Sequence, residues 1–189
     1  NDQLLGSQND MATIRLHCAP TLASIKTGSL FSLSFDAEDQ LTEQLDRWNR
    51  RLAPKGVTIE LMRTSERALV YVYRPKRLAS DLNKPGVADF LAERGYGPGV
   101  QKAVSRLRDA LCRGGEFPHE IGLFLGYPLC DVLGFIEHEG RCCRLCGCWK
   151  VYGDVCEAQR CFSRYRKCRD VYLRLHQAGR SVVDLTVAA

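Results

Sequence analysis

Residues 141–150 read RCCRLCGCWK, placing Cys142, Cys143, Cys146 and Cys148 in one short stretch flanked by Arg141, Arg144 and Lys150. Cys143 and Cys146 stand in C-x2-C spacing, which lets two thiolates grip one zinc or iron atom. The neighbouring cations favour thiolate over thiol, and with it both metal binding and redox exchange. A tetrahedral ion needs four donors, and the sequence holds no second C-x2-C pair to complete the set. The candidate ligands are therefore Cys143 and Cys146, one of Cys142 or Cys148, and Cys156 or Cys161, with zinc or an iron–sulfur cluster as the guest. Cys161 and Cys168 would lie roughly 10 Å apart on one helix, too far to share an ion. Against this stands a plainer role for reduced cysteines, as small hydrophobic fillers of a turn.

A second candidate is His17-Cys18-Ala19-Pro20. Pro20 suits a first helical turn, which puts Cys18 near a helix N-terminus, where free N–H groups and the macrodipole favour thiolate. His17 would add charge or accept a proton; the plainer alternative is a buried small residue at a helix start. A third is Glu116-Phe117-Pro118-His119-Glu120, in which His119 and Glu120 could serve as an acid–base pair or metal ligands. No HExxH follows, and carboxylates near a helix start are favourable without any chemistry. An enzyme built on Cys18, His17 and His119 requires the three to converge in one pocket.

Other function classes are less well served. Residues 121–136, IGLFLGYPLCDVLGFI, have helix-turn-helix spacing, but their second helix offers apolar and acidic side chains where a DNA reader would show Arg, Lys, Asn or Gln. A helical hairpin packing a core fits them better. Arg160, Arg164, Arg166, Lys167, Arg169 and Arg174, with Tyr165 and Tyr172 between them, could hold an anionic protein or a nucleic acid, the protein partner being the stronger reading. The net charge of +5 permits an anionic partner without demanding one. P-loop, dinucleotide, nucleophile-elbow and kinase motifs are missing. Gly95, Gly97 and Gly99 in RGYGPGV read as a turn before a helix.

The elements that must position these residues follow from periodicity. PTLASIK reads as a short helix closed at Gly28, and Phe31, Leu33 and Phe35 alternate as a strand. Asp36 is placed to cap a helix carrying Leu41, Leu45, Trp48 and Leu52, which Pro54 and Gly56 end. Val57, Ile59 and Leu61 alternate, Thr64-Ser65-Glu66 turns, and ALVYVY returns as the second arm of a hairpin. PKRLASDL, VADFLAERG and VQKAVSRLRDALCRGG read as helices, and Pro118 and Pro128 open two more. A long helix over 154–178 carries Val155, Phe162, Tyr165, Val171 and Leu175 as its apolar stripe. The expected fold is α+β, a small antiparallel sheet (β-α-β-β) in the N-terminal half and a mostly helical C-terminal half. Residues 1–10, which precede Met11, read as an extension, and 11–189 as a single domain.

The first ten residues offer only Leu4 and Leu5 as apolar positions, so no signal-peptide core is visible, and residues 121–136 are too short to span a bilayer. The expectation is a cytoplasmic chain, away from membranes, whose ten cysteines stay reduced. HCAPTLASIKTGSLF, LAPKGV, YVYRPKRL, FPHEIGLFLGYPLCDVLGFI, WKVYGD and the terminal LTVAA together resemble the bacterial domain-of-unknown-function family numbered 3793, found mainly in anaerobic Firmicutes. The resemblance runs from His17 to Ala189 and implies a bacterial, cytosolic, single-domain protein; it supplies no catalytic residues. The residues themselves favour a cysteine-dependent module associated with a metal or cofactor, with a redox role. The alternatives are a regulatory protein that binds a partner through its basic helix, and a small enzyme with a reactive Cys18.

Overall fold

The computed structural model describes residues 17–114 and 116–188. The expected extension at 1–10 and the second glycine of the stop after residue 112, Gly115, lie outside them. In chain order the elements are α1 (residues 17–22), β1 (Gly28–Leu33), α2 (Glu38–Leu52), β2 (Thr58–Thr64), β3 (Ala68–Tyr73) and α3 (Pro75–Leu82). There follow α4 (Val87–Ala92), α5 (Val100–Cys112), α6 (Ile121–Phe124), α7 (Leu129–Glu137), β4 (Leu145–Cys146), β5 (Lys150–Val151), α8 (Val155–Gln177) and α9 (Val182–Leu185). The fold is α+β. No described helix is long and apolar enough to cross a membrane.

The described residues form two units, one from 17–75 and 165–188, the other within 76–164. In the first, β3 lies between β1 and β2, antiparallel to both. Its ALVYVY sequence is almost wholly buried, as a central strand requires. Leu41, Leu45, Trp48 and Leu52 of α2 join Phe31, Leu33, Ile59, Val70 and Val72 in one core. Asn49 fastens α2 to β2 by donating from Nδ2 to the Ile59 carbonyl (2.7 Å) and accepting the Ile59 N–H at Oδ1 (2.8 Å).

Several local expectations change. α1 is over by residue 22, well before Gly28, because Ser24 turns left-handed (φ 60°) and the Ile25 and Lys26 N–H groups both close onto the Pro20 carbonyl. Gly28 instead opens β1. Ala37 rather than Asp36 occupies the N-cap of α2, with no side-chain cap. A bulge between Leu61 and Arg63 breaks the alternation of β2, so Met62 is buried and Leu61 only partly. On α8 the stripe runs through Ala158, Phe162, Tyr165 and Tyr172, leaving Val171 and Leu175 exposed.

Arg74, 2% exposed, organises the first unit's periphery. Its guanidinium donates to the carbonyls of Thr21 (2.7 Å), Leu22 (2.6 Å), Val187 (2.7 Å) and Lys55 (3.2 Å). Charge-assisted bonds to several carbonyls are what make a buried cation tolerable. Lys55 adds a parallel tie, donating through Nζ to the carbonyls of Val183 (2.6 Å) and Thr186 (3.0 Å), within and just after α9. Val187 N–H returns to the Leu22 carbonyl (3.0 Å). The C-terminal strand of chain is thereby pinned to α1 and to the turn after α2.

In the second unit α5 buries Ala103, Val104, Leu107 and Leu111, with Val100 at its start only half-buried, while α6 and α7 form the helical hairpin. Ile121, Leu123, Phe124 and Val132 supply its core.

Candidate functional site

The thiol-rich stretch folds as a two-strand hairpin, β4 against β5, with Leu145 opposite Val151 and Cys146 opposite Lys150. Arg144 N–H donates to the Val151 carbonyl (2.8 Å) and Gly147 N–H to that of Trp149 (3.0 Å). So short a ladder does not hold itself. Asp131, in the first turn of α7 and 4% exposed, does much of the holding. Its Oδ2 accepts from Trp149 Nε1 (2.7 Å) and its Oδ1 from the Tyr152 and Gly153 N–H groups (2.8 Å each). Three N–H donors compensate the buried carboxylate.

On the other side the hairpin lies against α8. A Cβ on Gly147 would stand 2.2 Å from Phe162 Cε2, so only glycine permits this approach. Trp149 meets Phe162 edge-on (4.5 Å between centroids) and stacks on Tyr127 (4.8 Å).

Between the hairpin and α6–α7 lies a groove of about 360 Å³. Tyr127, Trp149, Phe135 and Phe117 give it aromatic walls, with Ile121 and Val132 lining it too; His119, Lys150 and Cys148 bring polar groups. Phe117 is 46% exposed there, an unusual amount of bare aromatic surface. The His119 ring leans on Phe135 (4.9 Å), and its Nε2 stands 3.8 Å from Glu116 Oε1, an ion pair when the imidazole is protonated. Lys150 Nζ donates to the Gly140 carbonyl (2.6 Å). Burial, and secondarily the neighbouring Cys148, pushes the Tyr127 phenol up to about 12, so it stays a hydrogen-bond donor. The slot is thus walled by aromatic rings, with an ammonium, an imidazole and a thiol among its lining groups.

The sequence-derived candidates fall out differently. Cys142 is exposed in a left-handed turn (φ 56°), Cys146, Cys148 and Cys156 are exposed, and Cys143 and Cys161 are half-buried. Among the described residues no group of three His, Cys, Asp or Glu side chains could hold a metal ion, so the four-donor set expected for zinc or iron–sulfur is not assembled. The reason is local: hairpin and α8 meet through Gly147, Trp149 and Phe162, an apolar contact that leaves the thiols outside it. Cys18 is wholly buried, and burial pushes its thiol up to about 12 against the opposing pull of Lys26 and a Ser29 hydrogen bond. It is a core residue that keeps its proton. His17 is exposed and stacks over Phe31 (6.0 Å). His17 and Cys18 belong to the first unit and His119 to the second. The six basic side chains of α8 are exposed, but Tyr165 and Tyr172 are buried, which removes the stacking platform from a nucleic-acid reading.

Asp131, Tyr127 and the groove are nearly silent in the sequence. Their one signal was a lone carboxylate inside an otherwise apolar run. A protein-family model, "Protein of unknown function (DUF3793)", matches residues 14–186. The chain belongs to this family. No curated protein and no solved structure matches the DUF3793 chain. Of the stretches carrying the DUF3793 resemblance, two, residues 117–136 and 149–154, supply nearly all of the groove, and the other four meet at Arg74 and Lys55.

Proposed function

We propose that the second unit binds a small, flat, conjugated molecule bearing an acidic group, with the thiol hairpin as one wall of its site. The carrying observation is the groove itself, which brings Trp149, Lys150 and Cys148 of the hairpin together with Phe117, His119 and Phe135. Its volume of about 360 Å³ lies in the range that small-ligand sites occupy. Stacked aromatic walls favour a planar guest, Lys150 and His119 favour an anionic substituent, and Cys148 gives a thiol for redox or covalent chemistry beside it. This is a cofactor-associated thiol module without a requirement for metal.

Anilinonaphthalene sulfonate, a planar aromatic anion, is a direct probe. In a Trp48→Phe background its emission should rise saturably and be sensitised by Trp149. Phe117→Ala removes exposed aromatic wall and should weaken binding about ten-fold, from loss of roughly 50–60 Å² of covered apolar surface. Non-saturable binding, or an affinity indifferent to Phe117→Ala, refutes the reading.

A further inference from the structure

We infer that the C-terminal half of α8 docks an acidic amphipathic helix of a partner protein along the line Cys168, Val171 and Leu175. These three recur at i, i+3 and i+7, the spacing by which one helix offers a seam to another. Tyr172 turns α8 towards the first unit's core, and Cys168 packs at that core's margin. The seam runs outward from this margin: Cys168 is half-buried, Val171 is 41% exposed and Leu175 36%. Burial pushes the Cys168 thiol up to about 11, so it meets a neighbour as a neutral, apolar group. Bare aliphatics scattered over a surface are ordinary, but Val171, Leu173 and Leu175 are crowded into little more than one helical turn.

Charge selects the occupant. Lys167 and Arg174 each stand one position before a seam residue, Cys168 and Leu175, and so follow the seam's outer edge. Between paired helices that edge position chooses the partner by its charge. Asp170 is the one carboxylate in residues 165–177, against Arg166, Lys167, Arg169 and Arg174. None of these four cations makes an ion pair among the described residues. The helix dipole accounts for Arg174 and His176 in the last turn, but not for Arg166, Lys167 and Arg169 further back. A second copy of α8 would set Lys167 and Arg174 against their own kind, which like charge opposes. A lipid surface calls for apolar side chains gathered on one face. Here Leu173 stands on the far side of the Lys167–Arg174 line from Val171 and Leu175, with Asp170 between. A helix whose apolar stripe is edged by carboxylates meets both demands, covering the aliphatics and neutralising the edge. The docking line belongs to the first unit and shares no residue with the groove.

The test is fluorescence anisotropy of two labelled heptad peptides titrated with the full chain, both with Leu at the seam positions, one with Glu and the other with Lys at the edges. The Glu peptide should bind saturably and weaken with added salt, and the Lys peptide should not bind. Val171→Ser/Leu175→Ser should weaken the Glu peptide about ten-fold, from the apolar cover it removes. Lys167→Glu/Arg174→Glu should release the Glu peptide and take up the Lys peptide, a gain that loss of folding cannot produce. Circular dichroism of each variant establishes that α8 is intact. No saturable binding of the Glu peptide, equal binding of both peptides, or indifference to Val171→Ser/Leu175→Ser overturns the proposal. So does tighter binding of phosphatidylglycerol vesicles or single-stranded RNA that is lost with Lys167→Glu/Arg174→Glu.

Discussion

Arg74→Met should unfold the first unit at markedly lower denaturant while leaving the second nearly untouched. Among the described residues the guanidinium donates to the carbonyls of Thr21, Leu22, Lys55 and Val187. Two of those carbonyls keep other donors when it is removed, since Thr21 accepts from Ser24 N–H and Leu22 from Val187 N–H. Lys55 and Val187 carbonyls lose the bond outright. Bonds to a charged donor contribute roughly 1.5–3 kcal/mol each, and removing the buried cation returns part of the sum by relieving its desolvation. A net loss of about 3 kcal/mol follows, equivalent to about 12–24 °C in the Tm of a separately unfolding unit of this size. Arg74→Lys keeps the charge but replaces the planar fork by a single ammonium and should fall between. Trp48 lies in the first unit and Trp149 in the second, so urea unfolding read at Trp48 in a Trp149→Phe background isolates the effect. Hydrogen exchange at the Val187 amide should accelerate in parallel. A Met variant within about 0.5 kcal/mol of wild type, with Val187 still protected, would falsify the clamp.

Three further outcomes can be measured. Asp131→Asn swaps an acceptor oxygen for an N–H donor facing N–H donors, and should cost about 2–3 kcal/mol in the second unit and shift Trp149 emission; an unchanged spectrum and midpoint would contradict the anchoring role. Gly147→Ala forces Phe162 or the hairpin to move and should cost about 1–3 kcal/mol, with unaltered stability showing that the close approach is not needed. Cys18 should resist alkylation in the native protein at neutral pH. Because its folded value of about 12 exceeds the ordinary 9.0, its contribution is intact below pH 9 and is lost as pH rises towards 12, the unfolded thiol ionising while the folded one does not. Cys18→Ala should remove that part of the alkaline slope, and identical slopes in the two proteins would count against it.

Elements with long, regular periods were open to sequence reasoning. α2 buries the expected Leu and Trp positions, α5 forms where a helix was expected, and the β2–β3 hairpin follows from alternation on either side of a turn. β4 and β5, each two residues long, are too short to show a period, and the bulge in β2 shifts burial by one residue without any local cue. The clamp was hidden for a different reason. Arg74 acts on carbonyls 53 and 113 positions away, and a carbonyl carries no side-chain signature. At the thiol hairpin the residue types were legible but their placement outside the contact with α8 was not, because that contact is decided by a glycine and a phenylalanine.

The first unit is assembled from residues on both sides of 76–164. During synthesis the inserted segment leaves the ribosome before Tyr172 and Val187 do, so it can finish folding while the sheet still waits for its last partners. A chain truncated before residue 172 should therefore already protect the hairpin and leave the Arg74 region open to protease.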